Sequence, residues 1–502
     1  MKTPLRTALA VACSALLGLT SCMSGPSAPA AAGTDAAARS AQKAPNVIVI
    51  MADDLGYADI GAYGIKRIPT PNIDRIGLEG ARFTDGYASA PVCSPSRAGT
   101  QTGRYQQRFG FEYNNGPARR DHEESLGIDV NEITLGQALK SQGYATGLVG
   151  KWHLGSRDPF YPTNRGYDEF VGLLSGATSY IDIKRPDVVN FVREGRESRA
   201  AEGGNAASRN QFTQIYEGPE RKVVDNHQEY LTEYFGRRGA DFVNRHAPGN
   251  RPYFMYLAFT APHDPLTVTR KYYDRFPNIK VEHHRVYAAM VSALDDAVGQ
   301  VLDAVDKSGE ADNTIIYFLS DNGCAAYYDG MCACEPLRGG KLTHYEGGVR
   351  VPYLMRWPAK VKANTIYRNP VSTLDIFPTV LAAAGGKLPT DRVYDGVDLT
   401  PFLTGAKAGV PHDALMWRRR PLVSIRQGDW KLWKDLNGKY TLLFNLKSDL
   451  NETTNLAEKN PAKVKELEAA LDKWSKDLQD PKWPSRPETS YNVCGTPFTV
   501  PI

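Results

Sequence analysis

Apolar and polar positions along the chain fall into two regimes. From Asn46 onward, short uninterrupted apolar runs alternate with stretches of helical periodicity. Residues 46–51 (NVIVIM), 144–149, 253–259 and 314–319 (TIIYFL) are the runs. An apolar run with no polar alternation is what a strand covered on both faces of a parallel sheet requires. Between these runs, 71–79 reads as a helix with proline in its first turn. Residues 134–141 read as a helix stopped near Gly143. The stretch 286–307 reads as a long helix, with Ala289, Val291, Leu294, Val298, Val301, Leu302 and Val305 on one broad face. This alternation predicts an α/β domain over 46–410, a mostly parallel central sheet flanked by helices.

After about Pro411 the pattern tightens. Strand-like runs at 422–425, 430–433 and 440–444 are separated by Gln427-Gly428-Asp429 and by the hairpin signal Asn437-Gly438. With the charged helical stretch 461–478, this predicts a small C-terminal antiparallel sheet plus helix over 411–502. No internal repeat is found. The beginning of the chain follows neither regime. Lys2 and Arg6 precede an apolar stretch, 8–19, too short to span a bilayer and suited to a signal peptide over 1–21. Residues 24–45 are mostly Ala, Ser, Gly and Pro, the composition of a flexible tether.

Composition narrows the function. A chain of 502 residues can bury a large core and form two domains. Charged residues are 23% and apolar residues 42%, which excludes global disorder. Basic residues number 60 against 56 acidic, and no Lys/Arg run is long enough to track a phosphate backbone, so no nucleic-acid partner is expected. The densest basic cluster, Arg418-Arg419-Arg420, reads as a solvated loop. Seven cysteines include Cys13 in the signal segment, Cys22 and Cys93. The rest, Cys324, Cys332, Cys334 and Cys494, allow two disulfides in an oxidising compartment, with three possible pairings. At least one bridge within 324–334 is expected, and a second to Cys494. The spacing of Cys332-Ala333-Cys334 is not that of a zinc site.

The candidate chemistry gathers at predicted strand ends. Cys93-Ser94-Pro95-Ser96-Arg97 opens a predicted helix, where backbone N–H groups favour an anion. Asp53-Asp54 follows the run 46–51, and Asp321-Asn322-Gly323 follows 314–319. Ligands collect beyond the carboxyl ends of parallel strands, and carboxylates with an amide oxygen suit Ca²⁺ or Mg²⁺ better than zinc. Lys151 and His153, in Gly150-Lys151-Trp152-His153-Leu154-Gly155, follow a third run, and His263 follows a fourth. Lys341 lies in Gly339-Gly340-Lys341, ahead of Thr343-His344-Tyr345-Glu346-Gly347-Gly348.

Cys93 through Thr102-Gly103-Arg104 resembles the signature of the type I sulfatases, of alkaline-phosphatase-like fold. The resemblance extends from about Asn46 to Ala457, where 443–457 looks like the family's C-terminal motif. It implies that Cys93 is oxidised to formylglycine by a maturation enzyme. It implies a cation held by Asp53, Asp54, Asp321, Asn322 and the modified Cys93. A hydroxyl of the hydrated aldehyde, with Asp321 as base, would attack sulfur, and Lys341 and His263 would serve the leaving oxygen. His153 would then deprotonate the second hydroxyl to expel sulfate, with Lys151 on sulfate oxygens and Arg97 fixing the formylglycine end of the helix. Leu19-Thr20-Ser21-Cys22 resembles the bacterial lipobox, which implies lipidation of Cys22 and attachment to a membrane at the periplasm or cell surface; an ordinary signal peptide is the alternative. A surface-anchored hydrolase meets polysaccharides, so a sulfated glycan is the expected substrate. Arg104, Tyr105, Arg108, His344 and Trp417 are the candidate pocket residues. The cysteine-bearing 324–334 and most of 161–250 depart from the family's motifs. The rival readings are a phosphonate or phosphodiester hydrolase of the same superfamily and a non-catalytic glycan-binding lipoprotein.

Overall fold

The run 46–51 is apolar at every position because both of its faces are covered. Val47, Val49 and Met51 enter one hydrophobic core, while Ile48, Ile50 and Ala52 enter another on the opposite side. A computed structural model describes residues 43–501 except 65, 116–125, 192–213, 225–227, 328–330, 333–335, 486–487 and 494–495. The signal segment, Cys22, Cys334, Cys494 and most of the tether lie outside the described residues.

The strands up to residue 372 are β1 (Asn46–Ala52), β2 (Ala81–Phe83), β3 (Gly86–Tyr87), β4 (Ala145–Lys151), β5 (Glu169–Leu173), β6 (Val188–Phe191), β7 (Ile215–Glu217), β8 (Lys222–Val224), β9 (Tyr253–Ala258), β10 (Leu266–Thr269), β11 (Thr314–Ser320), β12 (Tyr353–Arg356), β13 (Thr365–Tyr367) and β14 (Val371–Ser372). Ten of them form one sheet in the order β13-β2-β12-β11-β1-β9-β4-β5-β7-β8. Its centre, β11-β1-β9-β4-β5, is parallel throughout, and antiparallel pairs flank it at β11-β12 and β5-β7. The register pairs Ala52 with Ser320, so the residues that leave β1 and β11 emerge side by side.

Helices cover both faces. They are α1 (Pro71–Leu78), α2 (Cys93–Thr102), α3 (Leu135–Ser141), α4 (Leu231–His246), α5 (Glu282–Lys307) and α6 (Ile376–Ala383). The apolar face of α5 lies in the core with Ile48 and Ile50. Helices α3 and α6 pack in the core with Val47 and Val49. Thr134 caps α3 in a reciprocal capping box with Gln137.

The C-terminal sheet is β15 (Ala414–Arg419), β16 (Leu422–Gln427), β17 (Trp430–Asp435) and β18 (Thr441–Asn445), antiparallel in that order. It is followed by α7 (Pro461–Ser475) and a hairpin of β19 (Glu488–Val493) and β20 (Thr496–Pro501). This is the fold class expected from the pattern. One face of the sheet packs Val423, Ile425 and Leu432 against Leu467, Leu471 and Trp474 of α7, with Tyr105 and Leu374 joining. The other sets Leu422, Trp433 and Phe444 against Val92, Leu342 and Tyr345. Residues 43–502 form one compact unit.

The arginine cluster is a correction. Arg418 and Arg419 lie buried on β15, not in a solvated loop. Arg418 pairs with the fully buried Glu112 at 2.8 Å, the partner that makes an interior guanidinium tolerable. Cys324 and Cys332 form a disulfide, the bridge expected within the segment. No helix among the described residues is long and apolar enough to cross a membrane.

Candidate active site

The parallel register builds the acidic half of the site. Asp53 and Asp54 leave β1 beside Asp321 and Asn322 leaving β11. The Asp321 N–H donates to the Ala52 carbonyl at 3.1 Å, and the Asp54 N–H donates to Asp321 Oδ1 at 3.2 Å. Asn322 donates through Nδ2 to Asp54 Oδ1 at 2.8 Å. All four side chains are essentially without solvent exposure.

Cys93 opens α2 directly above them, with Val92 as the extended residue before the first turn. Its Sγ stands 3.5 Å from Asp53 Oδ1 and 3.9 Å from Asp54 Oδ1. Burial pushes the Cys93 thiol well above its ordinary range, which makes the unmodified thiol a poor nucleophile at neutral pH. One turn on, Arg97 reaches back under the helix. It donates to Asp321 Oδ2 through Nε at 2.9 Å and to the Lys151 carbonyl through Nη1 at 3.1 Å.

Cations close the site from the neighbouring strands. Lys151, the last residue of β4, places Nζ 2.6 Å from Asp53 Oδ2. Burial works against the Asp53 carboxylate, but Lys151, His263 and Arg97 outweigh it and hold its pKa below the usual value. Lys341 Nζ lies 2.8 Å from Asp54 Oδ2. Burial disfavours its charge too, yet Asp54 and Cys93 hold its pKa well above the ordinary value. His263, beyond β9, directs Nε2 toward Asp54 Oδ2 at 3.6 Å. Its Nδ1 meets the Asp264 backbone carbonyl at 2.6 Å and Asp264 Oδ1 at 3.0 Å. His153 adopts a left-handed backbone conformation, φ 56°, which turns its ring inward. Burial, then Lys151 and Arg97, push its pKa well below the ordinary histidine value, so the imidazole is neutral and able to accept a proton.

The donor set suits a hard cation. The ligand atoms of Asp53, Asp54, Cys93 and His263 all lie within 4.8 Å of one another. Asn322 Oδ1 is a buried acceptor with no hydrogen-bond partner among the described residues, an orphan that a bound cation would satisfy. Asp321 stands slightly behind, with Oδ2 committed to Arg97.

The structure thus brings together Cys93, Arg97, Lys151, His153, His263, Lys341 and both acidic pairs. It does not bring the five pocket candidates to them as free groups. Arg104 Nη1 spans both Glu132 oxygens at 2.6 and 2.8 Å, and its Nε donates to the Val393 carbonyl. Arg108 makes a two-point contact with Asp395 at 2.8 and 2.7 Å. The Tyr105 hydroxyl accepts from the Met416 N–H, and its ring meets Trp474 edge-on. Trp417 donates to the Ala88 carbonyl and packs on Tyr87. His344 is buried beside Trp433. The first four have polar atoms engaged by the protein, whereas the buried His344 ring nitrogens have no hydrogen-bond partner among the described residues.

Three neighbours escaped the sequence reading. Asn114 Oδ1 accepts from both the N–H and the hydroxyl of Ser94, at 3.1 Å each. Gly176 lies against the His153 ring. Asp264 holds His263, and its position beside a candidate histidine was the one available signal.

The chain was compared with known proteins. Residues 45–386 match the sulfatase family model, and 340–480 match that of the N-sulphoglucosamine sulphohydrolase C-terminal region. Arylsulfatase D of Homo sapiens is 32% identical over 426 residues, covering 74% of this chain and 70% of that protein. N-acetylgalactosamine-6-sulfatase of Canis lupus familiaris is 33% identical over 408 residues, covering 80% and 73%. A crystal structure of Ps i-CgsB in complex with k-i-k-neocarrahexaose superposes with TM-score 0.77 at 34% identity, covering 88% of this chain and 95% of that one. The site geometry, the doubly covered parallel sheet and these matches agree: the chain belongs to the sulfatase family of sulfuric ester hydrolases.

Proposed function

We propose that this sulfatase removes sulfate from a sulfated carbohydrate, using formylglycine made from Cys93 by a maturation enzyme and a cation, Ca²⁺ or Mg²⁺. Asp53, Asp54, Asp321 and Asn322 would hold the cation, with residue 93 beside them. The observation that carries the reading is the position of Cys93. It is buried at the first turn of a helix, with three carboxylates below it and two ammonium groups beside it. The carbohydrate is supported by relatives named for N-acetylgalactosamine 6-sulfate and by a similar structure bound to a carrahexaose.

When present, the hydrated aldehyde supplies the nucleophile and the cation supplies charge for the sulfate oxygens. The chain's own groups do the rest. Arg97 locks Asp321 and the end of β4 into one rigid base under α2. Lys151 Nζ meets the equatorial sulfate oxygens, where negative charge is carried through the transition state. Lys341 Nζ and His263 Nε2 face the leaving oxygen. Asp264 occupies Nδ1 of His263, so Nε2 is the atom that hands over a proton. His153, held neutral, takes the proton whose removal releases sulfate.

Mass spectrometry of the Cys93 peptide tests the reading, since the aldehyde is lighter than the thiol. Cys93→Ala should abolish turnover of an aryl sulfate while leaving the thermal transition in place. Full activity in that variant ends the proposal. Chelation should remove activity, and Ca²⁺ or Mg²⁺ should restore it. A higher rate on aryl phosphodiesters than on aryl sulfates would favour the phosphonate or phosphodiester reading. Export and attachment through a lipid on Cys22 belong to the same proposal. A fatty-acid probe should label wild type but not Cys22→Ser; unlabelled wild type would favour a plain secretory signal.

A further inference from the structure

Lys341 sits on a loop that closes on itself. The Gly347 N–H donates to the Arg338 carbonyl at 2.7 Å and forms the neck of the loop. Inside, the Thr343 N–H donates to the Gly340 carbonyl, and Lys341 N–H donates to Cys324 O at 2.8 Å. The Gly323 N–H donates to the Gly348 carbonyl at 3.0 Å, which ties the loop to the end of β11. A shift of the neck therefore moves the Lys341 ammonium relative to Asp54.

Glu452, in the loop after β18, grips that neck from the C-terminal part of the chain. It is fully buried, with a backbone φ of 53°. Its Oε2 accepts the Glu346 N–H at 2.6 Å, and its own carbonyl accepts from Arg338 Nη1 at 2.6 Å. One glutamate thus grips both sides of the neck. Its other oxygen lies 3.1 Å from Nζ of Lys431 on β17. Lys431 is buried as well and also holds Glu346 Oε1 at 2.8 Å. Glu346 Oε2 accepts from the Tyr87 hydroxyl at 2.6 Å and from Arg350 at 3.2 Å. Two buried carboxylates sharing one ammonium cost more than an apolar pair of the same volume.

We propose that Glu452 is a positioning residue, contributed by the C-terminal part of the chain, that sets Lys341 against the leaving-group oxygen. The inference rests on the role given to Lys341 above. Glutamine at this position offers one acceptor and one NH₂ group where the carboxylate offers two acceptors. Lys431 keeps Glu346 Oε1, but in either orientation the new NH₂ group is set against a donor, the Glu346 N–H or the Lys431 ammonium, so the grip on the neck weakens without loss of volume.

The test is kcat/KM for wild type, Glu452→Gln, Lys341→Met and the double variant. The substrates are aryl sulfates whose leaving phenols run from strongly activated to unactivated. Glu452→Gln should stay within about two-fold on the most activated ester and fall about ten-fold or more on the least activated, because only the latter needs help at its leaving oxygen. In the Lys341→Met background it should add almost nothing, since both act through one group. Equal losses across the series, or additive losses in the double variant, overturn the inference. If Glu452→Gln does not fold, Arg338→Met releases the other contact at the neck and carries the same expectation. A wild type with no turnover of any sulfate ester would overturn the functional reading instead.

Discussion

Gly176 leaves no room behind His153. A Cβ there would lie 2.7 Å from Cε1 and 2.9 Å from Nε2 of the imidazole, so Gly176→Ala must displace the ring. Misplacing a reacting group by an ångström costs up to about a hundred-fold in rate. With His153 acting after the leaving group has gone, as proposed above, kcat is expected to fall most for activated esters, whose first step is fast. A loss confined to unactivated esters would contradict its role. At this scale the sequence was informative where residues carry motif chemistry. Cys93, Arg97, Lys151, His153, His263 and Lys341 all meet around one point. It misled where a polar head found a distant partner. Arg104 and Arg108 were named as pocket candidates, but Glu132 and Asp395 hold them at sequence separations of 28 and 287. Gly176 gave no signal, since nothing about a glycine tells which ring it admits.

Helices α4 and α5 meet through glycines. A Cβ on Gly236 would lie 2.8 Å from the Ala297 side chain, and one on Gly239 would lie 3.1 Å from Val301. Gly236→Leu should therefore destabilise by about 1–3 kcal/mol through overpacking. Denaturant unfolding should show it with KM unchanged; an unaltered midpoint would mean that the crossing relaxes freely. A second element responds to pH. Asp375 accepts the Ser372 and Val397 N–H groups and holds His412 Nε2 at 2.8 and 3.0 Å. Burial would lower the His412 pKa, but Asp375 outweighs it and raises it. The pair's stabilisation is then full below the unfolded histidine pKa, about 6.5, and is lost as pH rises through the folded value. The stability gap between wild type and His412→Gln should shrink with rising pH; a constant gap would sink the assignment. The buried strands β1, β9 and β11 were legible because fully apolar runs have one common explanation. Strand β15 was not, because Arg418 on it is neutralised by Glu112 across 306 residues.

The molecule as a whole has no seam at residue 411. Both faces of the C-terminal sheet are used, one by α7 with Tyr105 and Leu374, the other by Val92, Leu342 and Tyr345. Buried charge crosses the same boundary at Glu112–Arg418 and Glu346–Lys431. Thermal unfolding should be one transition, with far-UV ellipticity coinciding with emission from Trp417, Trp433 and Trp474 as well as Trp152. Two resolved transitions would contradict this coupling. The sequence pattern located the change of architecture but not the mutual burial, which depends on contacts between segments hundreds of residues apart. The strand order carries one more consequence. The acidic pairs, Lys151 and His263 lie at the ends of β1, β11, β4 and β9, four neighbours in the sheet, whereas the outer strands β7 and β8 carry none of the candidate site residues. Heredity is therefore offered two separately editable texts. Rewriting the outer strands should leave the central text word for word, so a chimera carrying a relative's β7–β8 should keep its turnover of aryl sulfates.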